Sequence, residues 1–196
     1  MDRASLLIKI ADTAYNVGFG AKKHFATYDI VEKAPGWIGF LSLAVGVFAL
    51  FVDTLATKHI SAFLIVLGIS SLLINTYSDT KQKYDETGKR LTVLFNNLKE
   101  LYLAVKASSK TEFEEEINAL NRIEEEFCAN SISKQILFSD WYAHYKFFWQ
   151  HQIDWVDEQK HFKFWRDKLP LSFTATLAVS LIFTLTFYYA RSKGFL

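Results

Sequence analysis

The chain has 196 residues, enough for one ordinary domain, and its net charge of +1 supplies no global basic field for nucleic acid. Its single cysteine, Cys128, excludes an internal disulfide and a cysteine-rich zinc site. Apolar residues make up 51% and charged residues 22%, and the two classes are segregated along the sequence.

Residues 1–35 read as an amphipathic helix. Leu6, Ile10, Ala14, Val17, Ala21, Phe25 and Tyr28 are spaced by three or four and form one apolar stripe. Gly18 and Gly20 are expected to weaken this helix, and Pro35-Gly36 to mark a bend into a membrane. Gly36 to Val52 then runs for 17 residues without Asp, Glu, Lys or Arg, and His59 to Ser78 for 20. Roughly 17 to 25 apolar helical residues cross a bilayer, so 36–78 reads as a transmembrane hairpin with a tight link. A soluble core hairpin is the alternative. It is weakened by a third run, Leu169 to Ala190, of 22 residues with no charge. The segment 36–52 follows 35 residues of mixed polarity and ends on no small-residue cleavage site, unlike a signal peptide. The predicted fold class is therefore an all-α membrane protein with three transmembrane helices and a cytoplasmic helical or coiled-coil region.

Between the hairpin and the third span, residues 79–168 read as a helical region. Tyr77, Tyr84, Leu91, Leu98 and Val105 recur every seven residues, and Phe95 and Tyr102 add a second seam position. Tyr84, Leu91, Phe95, Leu98, Tyr102 and Val105 are therefore candidates for an oligomer seam, with Gly88 interrupting its second row. Ser108-Ser109 reads as a break. Thr111 with Glu114 fits a capping box for a helix whose apolar face is Phe113, Ile117, Leu120 and Phe127. Asn130 to Ser133 reads as a turn. Asp140 is expected to cap one last long aromatic helix reaching Trp165, and Pro170 to open the span over 169–190. Residues 191–196 form a short tail.

Basic residues set the expected orientation. Arg3, Lys9, Lys22, Lys23 and Lys33 precede the hairpin. Lys81, Lys83, Lys89 and Arg90 follow it, and Lys160, Lys163, Arg166 and Lys168 precede the third span. The 53–58 link has one lysine, and Arg191 and Lys193 follow the last span. The N-terminus and residues 79–168 are thus expected in the cytoplasm. Trp37, Tyr77, Trp165, Tyr188 and Tyr189 stand near span ends, where amphipathic rings prefer to lie.

Catalytic signals are poor, and neither a catalytic residue nor a metal or cofactor site is predicted. Gly18 and Gly20 lack the third glycine of a dinucleotide loop, and Gly88-Lys89 is followed by Arg rather than Ser or Thr. His144 and His151 are two helical turns apart, too far for one ion. Asp140 with His144, and Asp157 with His161, have the spacing for a shared metal or hydrogen bond, and equally that of a solvated helix face. The spans carry sharper patterns. Ser172, Thr176, Ser180 and Thr184 recur every four residues, and Gly68, Ser71, Asn75 and Ser78 share a face of the second span. Ser42 and Gly46 make a small-xxx-small pair. Helix packing accounts for these stripes. So does a water path, with Gly68, Ser71, Asn75, Ser172, Thr176, Ser180 and Thr184 as pore-lining candidates. Three helices enclose little, so a path requires a homo-oligomer. Asn75 is the strongest single candidate, because an amide in lipid needs a partner or water.

The order of these parts is itself informative. An amphipathic helix with Ala14-Tyr15 and Lys22-Lys23, a tight two-span hairpin, and a long helix from Tyr77 to Val105 followed by more helix resembles the SLATT family of bacterial membrane effectors. The resemblance covers roughly residues 1–168 and rests on architecture, and the third span departs from it. It implies a prokaryotic antiviral defence system with abortive infection as outcome. The effector there is triggered by a nucleotide signal, or through a partner that makes or senses one, and then permeabilises the inner membrane. The competing function is a membrane-anchored scaffold that docks a cytoplasmic partner without conducting.

Overall fold

The structure is a computed structural model and describes residues 1–192. The tail expected over 191–196 lies outside the described residues from Lys193 onward. Every regular element among the described residues is helical, and three helices are long and apolar enough to cross a membrane.

The first helix, α1, runs from Arg3 to Phe48 without interruption. Asp2 opens it by accepting a hydrogen bond from the Ser5 N–H at 2.8 Å. The helix is not broken at Pro35-Gly36, because Pro35 lies inside it. Proline removes one backbone donor, but the helix is held on both sides of it. Below, side chains pack it against the rest of the chain. Above, an apolar backbone in lipid has no partner for its amides except its own helix.

A short turn over residues 49–57 reverses the chain into α2, Lys58–Asn75, whose first turn is capped by the Thr57 hydroxyl. α2 returns along α1 and completes the two-span hairpin. One turn later, α3 spans Lys81–Ala107 and lies along the lower half of α1 in the largest interface of the fold. Leu6, Ile10, Ala14, Val17 and Ala21 of α1 are buried with Leu91, Phe95, Leu98, Tyr102 and Val105 of α3. The apolar stripe read from residues 6–28 is thus a core-facing stripe.

The same packing covers the candidate seam residues within one chain. Tyr84, Leu91, Phe95, Leu98, Tyr102 and Val105 recur as a heptad, but their partner is α1 of the same chain, and all six are at most 3% exposed. They leave no side-chain surface for a second subunit. A heptad marks a helix that pairs; it does not say with which helix. Gly18 and Gly88 belong to this interface. A β-carbon at Gly18 would stand 2.7 Å from the Phe95 ring and 2.9 Å from that of Phe147, and one at Gly88 would stand 2.9 Å from the Phe25 ring. These glycines cost helix propensity and in return let large rings reach the backbone.

The remaining helices wrap this pair. α4, Glu114–Asn130, covers α3, with Phe113 and Leu120 buried. The expected Thr111 capping box does not form. Phe113 occupies the cap position with no side-chain cap bond, because its ring is drawn into the core. The long aromatic helix expected after Asp140 is three pieces: α5 Ser139–Gln150, α6 Asp154–Lys160 and α7 Phe164–Asp167. The chain is extended at His151, and His161 is left-handed at φ 49°. A single helix would spread Phe147, Ile153, Trp155 and Val156 around its axis, whereas the breaks aim all four at one core. Asp140 does not cap α5; it lies in the first turn and pairs with Lys23 at 2.7 Å. Lastly α8, Leu171–Ser192, starts at Pro170, whose carbonyl accepts from the Phe173 and Thr174 N–H groups.

Candidate functional site

The spans are the least covered part of this chain. No residue of α2 is buried, and the apolar stretches of α2 and α8 have none of their residues inside the protein. Among the described residues no packed interface joins α8 to α1 or α2. The candidate stripes of the second and third spans therefore do not meet within one chain, and no single chain encloses a lumen.

Several polar side chains of the spans have local partners. The Asn75 amide oxygen accepts from the Ser78 hydroxyl at 2.7 Å, just where α2 ends. Gly68 and Ser71 lie on the same span, and Gly68 has nothing within 4 Å of where a β-carbon would be. In α8 the Thr176 hydroxyl donates to the Ser172 carbonyl and that of Thr184 to the Ser180 carbonyl, both at 2.8 Å. Such back-bonding satisfies a hydroxyl in lipid without water. Ser172 reaches another element: its hydroxyl accepts from the Trp141 indole N–H at 2.9 Å, while Phe173 meets the same indole edge-to-face at 5.1 Å. This tether fixes the first turn of α8 to α5, and nothing in the spacing of Trp141 and Ser172 reveals it.

Below the spans the body is closely paired. Lys81 bridges to Glu32 at 2.5 Å across the base of the hairpin. Asp29 holds both Lys33 and Lys146, which keeps its carboxyl below the usual range against the opposing effect of burial. Lys160 reaches Asp12 at 2.6 Å, and Lys106 reaches Glu158 at 2.5 Å. Arg3 donates to the Lys106 carbonyl, tying the chain start to the far end of α3.

Of the four histidines in this body, His24 is buried, His144 and His151 are partly buried and His161 is exposed. His24 is 3% exposed, with Nδ1 at 2.7 Å from the Gly20 carbonyl and Nε2 accepting the Ile132 N–H at 3.1 Å. That pair of contacts selects the neutral ring with its proton on Nδ1. Burial pushes its pKa down, and nearby Lys23 adds to the effect. His144 packs against Phe19 and Phe148, and burial lowers its pKa as well. His151, beside Phe95 and Phe147, is pushed down to about 4 by burial and by the charges of Lys22 and Lys99. The Asp140–His144 and Asp157–His161 spacings bring no metal-ligand group together among the described residues. What joins Asp157 to its neighbours is a carboxylate oxygen accepting the Phe162 N–H at 2.6 Å, which shapes the turn after α6.

The arrangement is thus a helical body whose two longest helices continue as, or lead directly into, membrane spans. Among curated proteins and among solved structures nothing matches the chain. Residues 1–177 match the family described as SMODS and SLOG-associating 2TM effector domain 6. The match takes in the hairpin, the whole body and the tethered first turns of α8, and it ends inside the third span. With nine-tenths of the sequence matched, this chain belongs to the SLATT family of two-span effector domains.

Proposed function

We propose that this membrane effector oligomerises and permeabilises the inner membrane, with residues 1–35 and 79–168 in the cytoplasm. The setting is an antiviral defence system triggered by a nucleotide signal or by a partner that makes or senses one. The observation that carries the reading is continuity. α1 extends from the body core into the membrane as one helix, and α2 passes to α3 through a single short turn. A shift of α3 against α1 therefore moves both spans. A few kcal/mol of differential binding suffices to change which state is populated. Because no lumen exists in one chain, conduction requires several, and the exposed faces of α2 and α8 are where they would meet. Asn75 stands at the junction of span and body, so it is the side chain most directly coupled to such a shift.

Induced expression in bacteria with a voltage-sensitive dye tests this reading. Wild type is expected to depolarise cells and Asn75→Leu to insert normally without depolarising them. Polarised cells carrying correctly inserted, signal-exposed wild type would refute conduction. Orientation is tested in a Cys128→Ser background by single cysteines at Thr57 and Lys110. The first should label from outside and the second only after permeabilisation; the reverse pattern overturns the assignment.

The second reading is a scaffold that docks a cytoplasmic partner. It is favoured by the self-satisfied hydroxyls of α8 and by the exposed aromatic rim of the body, where Phe164 meets both Trp149 and Trp165 and all three remain open. Pull-down of one stoichiometric partner by polarised cells would support it.

A further inference from the structure

One cleft in the body carries a chemistry that neither the spans nor the core requires. Between α3 and the link joining α5 to α6, a cavity of about 280 Å³ is lined by Phe95, Asn96, Lys99, Gln150, His151 and Gln152. Apart from the Phe95 ring, every lining side chain carries an N–H donor or a ring nitrogen, and none is a carboxylate. Most lysines of the body are ion-paired, but Lys99 is not, and no side-chain hydrogen bond engages the five polar groups among the described residues. Glu100, the nearest acid in sequence, lines a different cleft on the α4 side of α3, with Arg122. A second cation, Lys22 of α1, lies outside this lining. It is half-buried without an acidic partner, its ammonium held below the usual range by burial and by Lys146. Lys22 and Lys99 both oppose protonation of His151. A positive charge beside amide and ring donors, with no carboxylate in the lining, suits an anion.

We propose that this cleft binds a small, soluble, phosphate-bearing anion, with Lys99 supplying charge and Asn96, Gln150, His151 and Gln152 supplying donors. Phe95 is buried with its ring against α1, α5 and α6, so the cleft selects the phosphoryl group rather than stacking a base. A lipid headgroup has the same chemistry but not the same reach. Asn96 and Lys99 lie four to five helical turns beyond Lys81, roughly 25 Å down α3 from the membrane end. An anion held there clamps α3 to the α5–α6 link and returns His151 toward its protonated form. The proposal stands whether or not the spans conduct.

The test is equilibrium binding of inorganic pyrophosphate to the full chain in phosphatidylcholine nanodiscs. Saturable binding is expected, weakened roughly ten- to a hundredfold by Lys99→Gln. Lys83→Gln, an exposed lysine on the same helix, should leave it unchanged. Circular dichroism of each variant should match wild type, and the His151 ring signal should titrate at higher pH in the pyrophosphate-bound chain. Absence of saturable binding at millimolar pyrophosphate, or equal weakening by Lys83→Gln, overturns the site. Competition by phosphatidylglycerol introduced into the nanodiscs would place a headgroup there and overturn the soluble ligand.

Discussion

The two halves of α1 are one helix in two solvents. From Leu6 to Val31 a buried residue recurs every three or four positions; from Glu32 to Phe48 none is buried. The lower half owes its order to α3, α5 and α6, whereas the upper half owes it to its own hydrogen bonds and to α2. In the body, position decides which apolar residue is tolerated, because rings interdigitate at van der Waals distance. In the spans, apolarity alone suffices and small or polar residues stand out. Mutations should divide along the same line.

The largest effect is expected from a charge in the α1–α3 interface. Leu98 is fully buried among apolar neighbours, so Leu98→Asp removes its packing and leaves an unpaired charge. The body should lose its cooperative unfolding transition in detergent while both spans of the hairpin still insert. Leu91→Asp behaves alike. If Leu98→Asp keeps a wild-type transition and only lowers the oligomer mass, the heptad is an intersubunit seam after all.

Next in size are the ring sockets. Gly18→Val drives a branched side chain into the Phe95 and Phe147 rings and should cost about 1–3 kcal/mol, while Phe95→Ala should cost about 3–5 kcal/mol. Gly46→Val, in the upper half of the same helix, has nothing within 4 Å of its β-carbon and should leave the body's denaturant midpoint unchanged. Equal losses at Gly18 and Gly46 would erase the distinction between the halves.

These sockets also mark how far the sequence could be read. The three spans, the stripe from Leu6 to Tyr28 and the helical class followed from periodicity and length, which are local properties. Partner identity is not local. The heptad in α3 has the same spacing whether α1 or another subunit covers it, and Gly18 and Gly88 look like helix breakers until the rings that fill them are placed. Pro35 reads as a bend because proline usually makes one, and only a helix supported on both sides runs through it. The breaks at His151 and His161 are similarly hidden, since an aromatic-rich stretch suits a helix until its rings must all reach one core. Of the candidate pore residues, Asn75 and the Ser172–Thr184 stripe were legible as polar groups in apolar runs. The Trp141–Ser172 tether and the cleft at Lys99 join segments too distant in sequence to be read together.

A smaller effect distinguishes the body by pH. The fold keeps His24 neutral, because protonating Nε2 would set two N–H groups, its own and that of Ile132, against each other. His144 and His151 are depressed too, the latter to about 4. For depressed groups the unfolded chain binds more protons, so the stabilisation is complete above about pH 6.5 and erodes as pH falls toward the folded values. Lys23 faces His24 from α1 and the Tyr84 ring from α3, and neither supplies a negative charge to offset this. The thermal midpoint should fall between pH 7 and pH 5, and His24→Gln should remove part of that slope. A midpoint that rises over this range would contradict the neutral assignment.

The smallest effect is expected in α8. Thr176 and Thr184 spend their hydroxyl protons on carbonyls of their own helix, and their side chains are otherwise exposed to what surrounds the span. Valine has the same shape and needs no partner. Thr176→Val with Thr184→Val should therefore leave insertion, oligomer mass and dye-reported depolarisation close to wild type, within about twofold, since an exposed self-bonded hydroxyl contributes only tenths of a kcal/mol. Ser172 differs, because its hydroxyl also holds the Trp141 indole at the base of the span. Ser172→Ala should loosen α8 from α5 without changing the hairpin, which cross-linking between residues 141 and 172 would report. Should the valine pair abolish depolarisation while Asn75→Leu retains it, those hydroxyls face water rather than lipid in the assembled state. The third span would then line the path, and the contrast between a structured body and interchangeable spans would fail at α8.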